Sequence, residues 1–190
     1  MKTKSHRLRG ITSNSELSLT HFRRKLRNIY SVYPAIDPFQ LIAQQTFCGK
    51  CVIVTGASRG IGEATAHAFA RAGASVVLVA RNENQLAAVE ARILEEVPKA
   101  RVLKIALDVT DPTEAEAAVA RTVELFGSVD VLVTAAGRMR AADRGALCIP
   151  ITGNQRADSD TLTKVISQTD PNDWWNTIEV NLRGVFNFVR

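Results

Sequence analysis

Hydrophobic residues follow two alternating patterns from residue 51 onward. Short unbroken apolar runs are typical of strands that are buried on both faces of a parallel sheet, and the stretches between them repeat with a helical period. The alternation predicts an α/β fold with a parallel sheet and right-handed crossovers. The predicted strands are Cys51–Thr55, Ser75–Ala80, Val102–Leu107 and Val129–Thr134, and the predicted helices are Ile61–Ala72, Asn84–Glu96 and Pro112–Phe126.

Residues at the ends of the helices support these boundaries. Asp111 before Pro112 is typical of an N-cap followed by proline in the first turn, and Gly127 is placed to end the same helix. The segment Asp170–Asp173 predicts the start of a further helix, because it carries a proline and acids where a helix amino terminus favours them. The tryptophans that follow, Trp174 and Trp175, are interpreted as packing residues rather than as a ligand stack.

The segment between the first strand and the first helix is rich in glycine. Gly56, Gly60 and Gly62 lack the side chains that would keep a pyrophosphate away from the backbone. The turn leads to the amino end of a helix, where unpaired N–H groups and the helix dipole favour negative charge. Together with the following strand it forms one complete βαβ unit, which predicts a site for a dinucleotide.

The spacing Thr55-Gly56-x-x-x-Gly60-x-Gly62 resembles the cofactor fingerprint of the short-chain dehydrogenase/reductase family. Three further segments agree in order and distance: Leu107-Asp108-Val109, Thr134-Ala135-Ala136-Gly137, and Asn181. The resemblance covers residues 47–190. It implies a Rossmann-type doubly wound parallel sheet with strand order 3-2-1-4, truncated after the fourth strand and the following helix, with the cofactor over the carboxyl ends of the strands.

The same resemblance implies which residues contact the cofactor. An acid after the second strand would bind the ribose of NAD, but this position holds Arg81, and Arg59 lies in the glycine turn, so NADP is expected and NAD is less favoured. Alternative interpretations are a solvent-facing turn residue for Arg59, a strand-end cap for Asp108 and a core residue for Val109. The implied cofactor-binding residues are Thr55, Gly56, Ser58, Arg59, Gly60, Ile61, Gly62, Arg81, Asp108, Val109, Ala135, Ala136 and Gly137.

Two departures from the family pattern affect the expected function. The family's Asn-Asn-Ala-Gly is here Thr134-Ala135-Ala136-Gly137, so the amides that would brace the sheet are absent. Family members also use a Ser and a Tyr-x-x-x-Lys pair from a fifth strand and helix, whereas the tyrosines of this chain, Tyr30 and Tyr33, precede the glycine turn. Asn181 is the one catalytic residue that carries over, as the support of a proton-relay water.

The resulting expectation is an NADP(H)-dependent oxidoreductase that interconverts a carbonyl and an alcohol by hydride transfer. Its substrate is a small molecule, and the family often forms homo-oligomers. Because the catalytic Tyr and Lys are missing, the chain is interpreted as incomplete and inactive by itself. The alternative is a non-catalytic dinucleotide-binding protein that acts as a sensor or as the partner of a full-length relative.

The net charge of +5 is concentrated at the amino terminus, where residues 1–30 hold eight Lys or Arg and one acid. Leu19, Phe22, Leu26 and Ile29 recur there at helical spacing. This pattern resembles a mitochondrial presequence or a helix on an anionic membrane, and the alternatives are a disordered tail or residues added by a wrong start site. The remainder is net negative and has no basic stripe, so no nucleic-acid partner is expected.

Composition changes along the chain predict its domains. Residues 1–45 form a basic extension that ends in an extended connector through Pro38, and residues 46–190 form a partial dinucleotide-binding domain. Residues 138–169 are polar and lack a period, which predicts an irregular insertion outside the core. No apolar run approaches the ~20 residues of a membrane helix. A cytoplasmic location is expected, with a mitochondrial or peripheral-membrane location as the alternative.

The three cysteines indicate a reducing compartment rather than a disulfide framework. Cys48 and Cys51 have the spacing of a redox motif, but that motif normally begins a helix, and here a strand follows. Cys51 is therefore interpreted as a small buried residue. The histidines are isolated from acids and cysteines, so no metal site is assigned.

Overall fold

The computed structural model describes residues 38–138 and 170–190, and the structural statements below concern these ranges. The predictions for the basic segment before residue 38 and for residues 139–169 lie outside them. A short helix, α1, spans Pro38–Ala43, so the predicted extended connector gives way to a helix at its last residue. Proline is tolerated there because the first residues of a helix have no intrahelical partner for their N–H groups.

The unit Leu41–Arg190 contains the predicted alternation of strands and helices. After the fourth strand, residues 171–189 form a distorted helix with a π-helical segment in its middle. The strands are β1 (Cys51–Thr55), β2 (Ser75–Ala80), β3 (Val102–Ala106) and β4 (Val131–Thr134). The helices are α2 (Gly60–Arg71), α3 (Glu83–Glu96), α4 (Pro112–Phe126), α5 (Pro171–Ile178), the π-helical segment (Glu179–Arg183) and α6 (Gly184–Val189).

The four strands form one parallel sheet in the order β3-β2-β1-β4, which confirms the expected order. Successive residues of a strand point to opposite faces, so the sheet separates two cores. Val52 and Val54 of β1 belong to the core under α2 and α3, whereas Ile53 belongs to the core under α4 and α6, where it is joined by Phe188. All residues of β1 and β2 are buried. The predicted doubly wound fold is therefore confirmed.

The caps form as predicted, and two strand ends differ by one or two residues. The Asp111 carboxylate accepts hydrogen bonds from the N–H groups of Thr113 and Glu114, and Gly127 ends α4 at a φ of +88°. Leu107 lies one residue beyond β3, although its N–H still donates to the Ala80 carbonyl. β4 begins two residues later than predicted, because the Asp130 carboxylate is turned back to accept a hydrogen bond from the Cys51 N–H at 2.9 Å.

The tryptophans of α5 differ from the interpretation as packing residues. Trp174 is 43% exposed and Trp175 is 60% exposed, and their rings contact each other edge to face. Leu182 and Phe186, which lie on the same stripe of the helix as Trp175, also face solvent. The described residues do not cover this apolar face. Within the described ranges, no helix combines the length and the apolar character required to cross a membrane.

Candidate functional site

The glycine turn after β1 brings the backbones of two strand ends into direct contact. Gly56 has a φ of +69°, and a Cβ atom there would lie 2.6 Å from both the Ala135 carbonyl oxygen and the Ala136 nitrogen. A Cβ atom on Gly62 would overlap the Gly56 carbonyl oxygen. Gly60 has open space around it but a φ of +63°, a conformation that L side chains rarely adopt. The first and third glycines are thus required by contact, and the second by backbone conformation.

Thr55 links this turn to the end of β4. Its side chain is buried, and its Oγ1 accepts a hydrogen bond from the Ala136 N–H at 3.2 Å, while its carbonyl oxygen accepts one from the Ala135 N–H at 3.2 Å. The sequence predicted that Thr134 and Ala135, which stand in place of two asparagines, would leave the sheet edge without bracing amides. In the structure, the Thr55 hydroxyl bonds directly to the backbone and braces this edge.

The amino end of α2 opens beside the turn. Arg59 occupies its N-cap position with an extended backbone and makes no side-chain cap, so the first N–H groups of the helix have no side-chain acceptor from the cap residue. Glu63, the acid of the first turn, is directed to α3, where its Oε1 accepts a hydrogen bond from the Arg92 Nη2 at 2.7 Å. Arg59 and Ile61 are exposed, and Ser58 is half-buried. The helix end can therefore accept an anion without displacing a side chain of its own.

Arg81 and Asp108 meet at the ends of the neighbouring strands β2 and β3. Arg81 is 78% exposed, and its Nη1 lies 4.0 Å from the Asp108 Oδ2. An ion pair that is so exposed and so long contributes little to stability. Next to Arg81, the Asn82 side chain accepts a hydrogen bond from the Gln85 N–H and caps α3. The guanidinium is thus only weakly held and can approach a phosphate at this edge.

The chain after β3 is held firmly by its neighbours. The Asp108 Oδ1 accepts hydrogen bonds from the Thr110 N–H at 3.0 Å and the Thr110 hydroxyl at 2.8 Å. The Asp108 N–H donates to the Glu114 Oε2 at 2.9 Å. Val109 is buried, and its carbonyl oxygen accepts a hydrogen bond from the Asn187 Nδ2 at 3.0 Å. Both alternative interpretations, a strand-end cap and a core valine, describe geometry that is present. Contacts of Asp108 and Val109 with the cofactor stay a prediction.

Asn181 holds the chain after β4. Its Oδ1 accepts a hydrogen bond from the Arg138 N–H at 2.8 Å, and its Nδ2 donates to the Arg138 carbonyl at 2.9 Å. Gly137 lies against the same side chain, and the Arg138 guanidinium also pairs with Asp173. Asn181 belongs to the π-helical segment, a distortion that is frequent at functional sites. Its observed contacts position the backbone after Gly137, whereas support of a proton-relay water stays a prediction.

The structure brings the predicted residues together in two groups at the carboxyl edge of the sheet. One group surrounds the turn, and the other is the pair Arg81 and Asp108. The first group comprises Thr55, Gly56, Ala135, Ala136, Gly137 and Asn181. Sequence reasoning missed Glu114 and Asn187, which hold the chain after β3. The signal for Asn187 is an amide in the apolar run Val185–Val189, where a buried polar group needs a partner.

Cys48 and Cys51 lie at the opposite, amino-terminal edge of the sheet. Burial raises the pKa of the Cys51 thiol above its usual value, and the nearby Asp130 carboxylate raises it further. A thiol with a raised pKa carries little thiolate, so Cys51 is not activated for redox chemistry. Cys48 is exposed. Among the described residues, no group of three histidines, cysteines or acids is arranged to hold a metal ion.

Comparison with protein-family models finds a match to the short chain dehydrogenase family over residues 50–190. Among curated proteins, Short chain dehydrogenase mpl6 of Monascus purpureus is 39% identical over 148 residues, which cover 75% of this chain and 43% of that protein. Short chain dehydrogenase pigC of Monascus ruber is 36% identical over 160 residues, which cover 81% of this chain and 44% of that protein. The chain thus spans less than half the length of these relatives.

Solved structures give a similar result. L-sorbose reductase from Gluconobacter frateurii, complexed with NADPH and L-sorbose, is 29% identical with a TM-score of 0.59, and the match covers 76% of this chain and 46% of that one. A variant of actinorhodin polyketide ketoreductase with NADPH is also 29% identical, with a TM-score of 0.57 and coverage of 73% and 44%.

Proposed function

Because the chain belongs to the short-chain dehydrogenase family, we propose that it binds NADP(H) as part of an oxidoreductase that interconverts a carbonyl and an alcohol. The bound dinucleotide supplies or accepts the hydride in that reaction. The cofactor-binding domain comprises residues 46–190, and its substrate is a small molecule. The observation that carries the proposal is the glycine turn packed against the end of β4, with the amino terminus of α2 open beside it.

The pyrophosphate lies at the turn in this proposal. Gly56 allows the turn to pack directly against the end of β4, and Gly62 allows the helix to begin against the turn. The N–H groups at the start of α2 face the negative charge of the pyrophosphate. Thr55 holds Ala135 and Ala136 beside the turn through the hydrogen bonds described above. The remaining contacts are assigned to Ser58, Arg59, Gly60, Ile61, Arg81, Asp108, Val109 and Gly137.

Preference for NADP over NAD is assigned to Arg81 and Arg59. Both side chains are exposed cations, and Arg81 is only weakly paired with Asp108. A 2′-phosphate would replace this long contact with a charge-assisted hydrogen bond, which is about twice as strong as a neutral one. NADPH in two similar solved structures is consistent with this assignment.

Asn181 is proposed to support catalysis by holding the backbone after Gly137 and a proton-relay water. The 190 residues contain no tyrosine with a lysine four positions later. We therefore expect no turnover from these residues by themselves, because no side chain with the paired acid/base chemistry of the family is present.

The test is a fluorescence titration of the purified protein with NADPH and with NADH. We expect NADPH to bind at least about tenfold more tightly, since one charge-assisted hydrogen bond contributes roughly 1.5–3 kcal/mol. Arg81→Asp should remove or reverse the preference, and Arg81→Lys should retain part of it. Arg121→Asp, the same charge reversal on α4, serves as the control and should leave it unchanged. Equal affinities for the two cofactors would contradict the assignment to NADP, and absence of binding to either would contradict the proposed function.

A further inference from the structure

The last helix carries two asparagines that hold the chain after two different strands. Asn181 bonds to both backbone groups of Arg138 after β4, and Asn187 bonds to the Val109 carbonyl after β3. In the order β3-β2-β1-β4 these are the two outer strands of the described sheet, about 14 Å apart at the usual strand spacing. One helix therefore fixes both flanks of the edge at which the proposed cofactor site lies.

Asn187 is buried in a way that requires a partner. It is 7% exposed and lies next to Phe188, a member of the core under α4 and α6. A buried amide without hydrogen bonds is costly, and the Nδ2 atom of Asn187 meets this need by donating to the Val109 carbonyl oxygen at 3.0 Å. The carbonyl belongs to a residue 78 positions earlier in the chain. The hydrogen bond thus connects α6 to the segment after β3.

Gly184 brings α6 against the side chain of the same valine. A Cβ atom at position 184 would lie 2.7 Å from the Val109 Cγ2 atom, so the helix approaches as closely as a glycine permits. Val109 is consequently fixed by its carbonyl through Asn187 and by its side chain through Gly184. Its neighbour Asp108 is fixed from α4, through Glu114.

The fixed segment faces the arginine proposed to select the cofactor. The Asp108 Oδ2 lies 4.0 Å from the Arg81 Nη1. Because Asp108 directly precedes Val109, a displacement of Val109 changes the distance between this carboxylate and the guanidinium. The glycine turn depends on other contacts, because Thr55 and Ala136 hold it from β1 and β4. The two ends of the edge are therefore positioned by separate sets of hydrogen bonds.

We propose that Asn187 is a positioning residue of the cofactor site, which sets the place of Val109 and Asp108 and thereby the recognition of the adenosine end of the dinucleotide. The inference rests on the proposed binding of NADP(H). Asn187 touches no part of the ligand and acts through Val109. Its loss should weaken binding of the adenosine end and leave binding of the nicotinamide end unchanged.

The experiment uses three ligands on the full chain: NADPH, 2′,5′-ADP for the adenosine end and reduced nicotinamide mononucleotide for the other end. Asn187→Leu removes the donor at similar volume. We expect Asn187→Leu to lower the affinity for NADPH and for 2′,5′-ADP by about fivefold or more, which corresponds to the loss of one hydrogen bond. The affinity for the mononucleotide should not change. Thr122→Val is the matched control, since Thr122 is also a buried polar residue on a helix, bonded within α4 to the Ala118 carbonyl.

Thr122→Val should lower the melting temperature and leave all three affinities as they are. If Asn187→Leu does not fold, Asn187→Ser replaces it, because its shorter side chain cannot span the same distance and should give the same selective loss. Equal weakening of all three ligands, or no weakening of 2′,5′-ADP, would overturn the inference. Failure of the unsubstituted protein to bind NADPH would instead overturn the proposed function, so the two failures are distinguishable.

Discussion

The half of the sheet built from β1 and β2 differs sharply from the half built around β4 and the last helix. Every residue of β1 and β2 is buried, and α3 contributes Leu86, Val89 and Ile93 with at most 1% of each exposed. In the second half, the residues of β4 are half-buried or exposed, and Leu182 is 66% exposed. Apolar sequence alone does not produce burial; an apolar residue must also have elements on both sides of it.

The two halves also differ in how their described elements are connected. In the first half, strand and helix succeed each other directly, and each crossover places a helix over the strands that it joins. In the second half, 36 residues separate Thr134 from the start of α5 at Pro171, and among the described strands only β1 pairs with β4. Of the described strands, β4 therefore has a neighbour on one side only, whereas β1 and β2 each have neighbours on both sides.

The largest expected effect comes from truncating a leucine in each half. Leu78 of β2 is fully buried, so Leu78→Ala should lower the free energy of unfolding by about 2–5 kcal/mol. Leu132 of β4 is half-buried, and Leu132→Ala should cost clearly less, because less apolar surface is lost from the interior. Urea unfolding of the 190-residue chain measures both. Equal losses would show that β4 is as well covered in solution as β2.

An intermediate effect is expected at Asp130, which joins the start of β1 to the start of β4. Its carboxylate accepts hydrogen bonds from the Lys50 Nζ at 2.8 Å, the Cys51 N–H at 2.9 Å and the Ser128 hydroxyl at 2.9 Å. These interactions, led by the hydrogen bond from Lys50, lower the pKa of Asp130 from 3.8 to about 2. The folded state thus favours the ionised carboxylate.

A pKa that is lower in the folded state makes stability depend on pH in one direction. The contribution of Asp130 is present above the unfolded pKa of 3.8 and is lost as the pH falls from about 4 to about 2. Asp130→Asn should lower stability at neutral pH and flatten the fall between pH 4 and 2, as followed by urea midpoints across that range. Glu124→Gln, an exposed acid on α4, is the control and should keep the original profile. An unchanged profile in Asp130→Asn would refute this role of the junction.

The smallest effect is expected on the exposed stripe of the last helix. Leu182→Ser should change the free energy of unfolding by no more than about 0.5 kcal/mol, because Leu182 is already 66% exposed. Leu86→Ser is the matched change at a leucine of α3 with 0% exposure, and it should be strongly destabilising. Thermal melts compare the two. A large loss in Leu182→Ser would show that the stripe is covered in solution and would remove the contrast between the halves.

Most of the fold could be predicted because it depends on local patterns. The strands β1 and β2 match their predicted bounds, since continuous apolar runs are typical of covered parallel strands. The position of the glycine turn was also predictable, because its conformation requires residues without side chains. The exposure of Trp174 and Trp175 could not be predicted, because an apolar face in the sequence does not show whether another element covers it.

The candidate site was predicted less completely than the fold. Thr55 appeared as a cofactor contact, whereas its hydroxyl also braces Ala136 across the sheet. The missing amides at Thr134 and Ala135 predicted an edge without bracing, because the sequence does not show which neighbouring side chain can reach the backbone there. Asn187 was not predicted as a site residue, although a lone amide in an apolar run indicates a buried hydrogen bond to a distant partner.

Sequence by itself determined the order of strands and helices, the cap at Asp111, the glycine turn and the presence of cations at Arg59 and Arg81. These features depend on residues that are close together in the sequence, so their spacing and side-chain type suffice to predict them. Only the tertiary structure decided which distant groups meet. Asn187 reaches Val109 across 78 residues, and Lys50 reaches Asp130 across 80. Such hydrogen bonds depend on how whole elements pack, because donor and acceptor are close in space but far apart in the sequence.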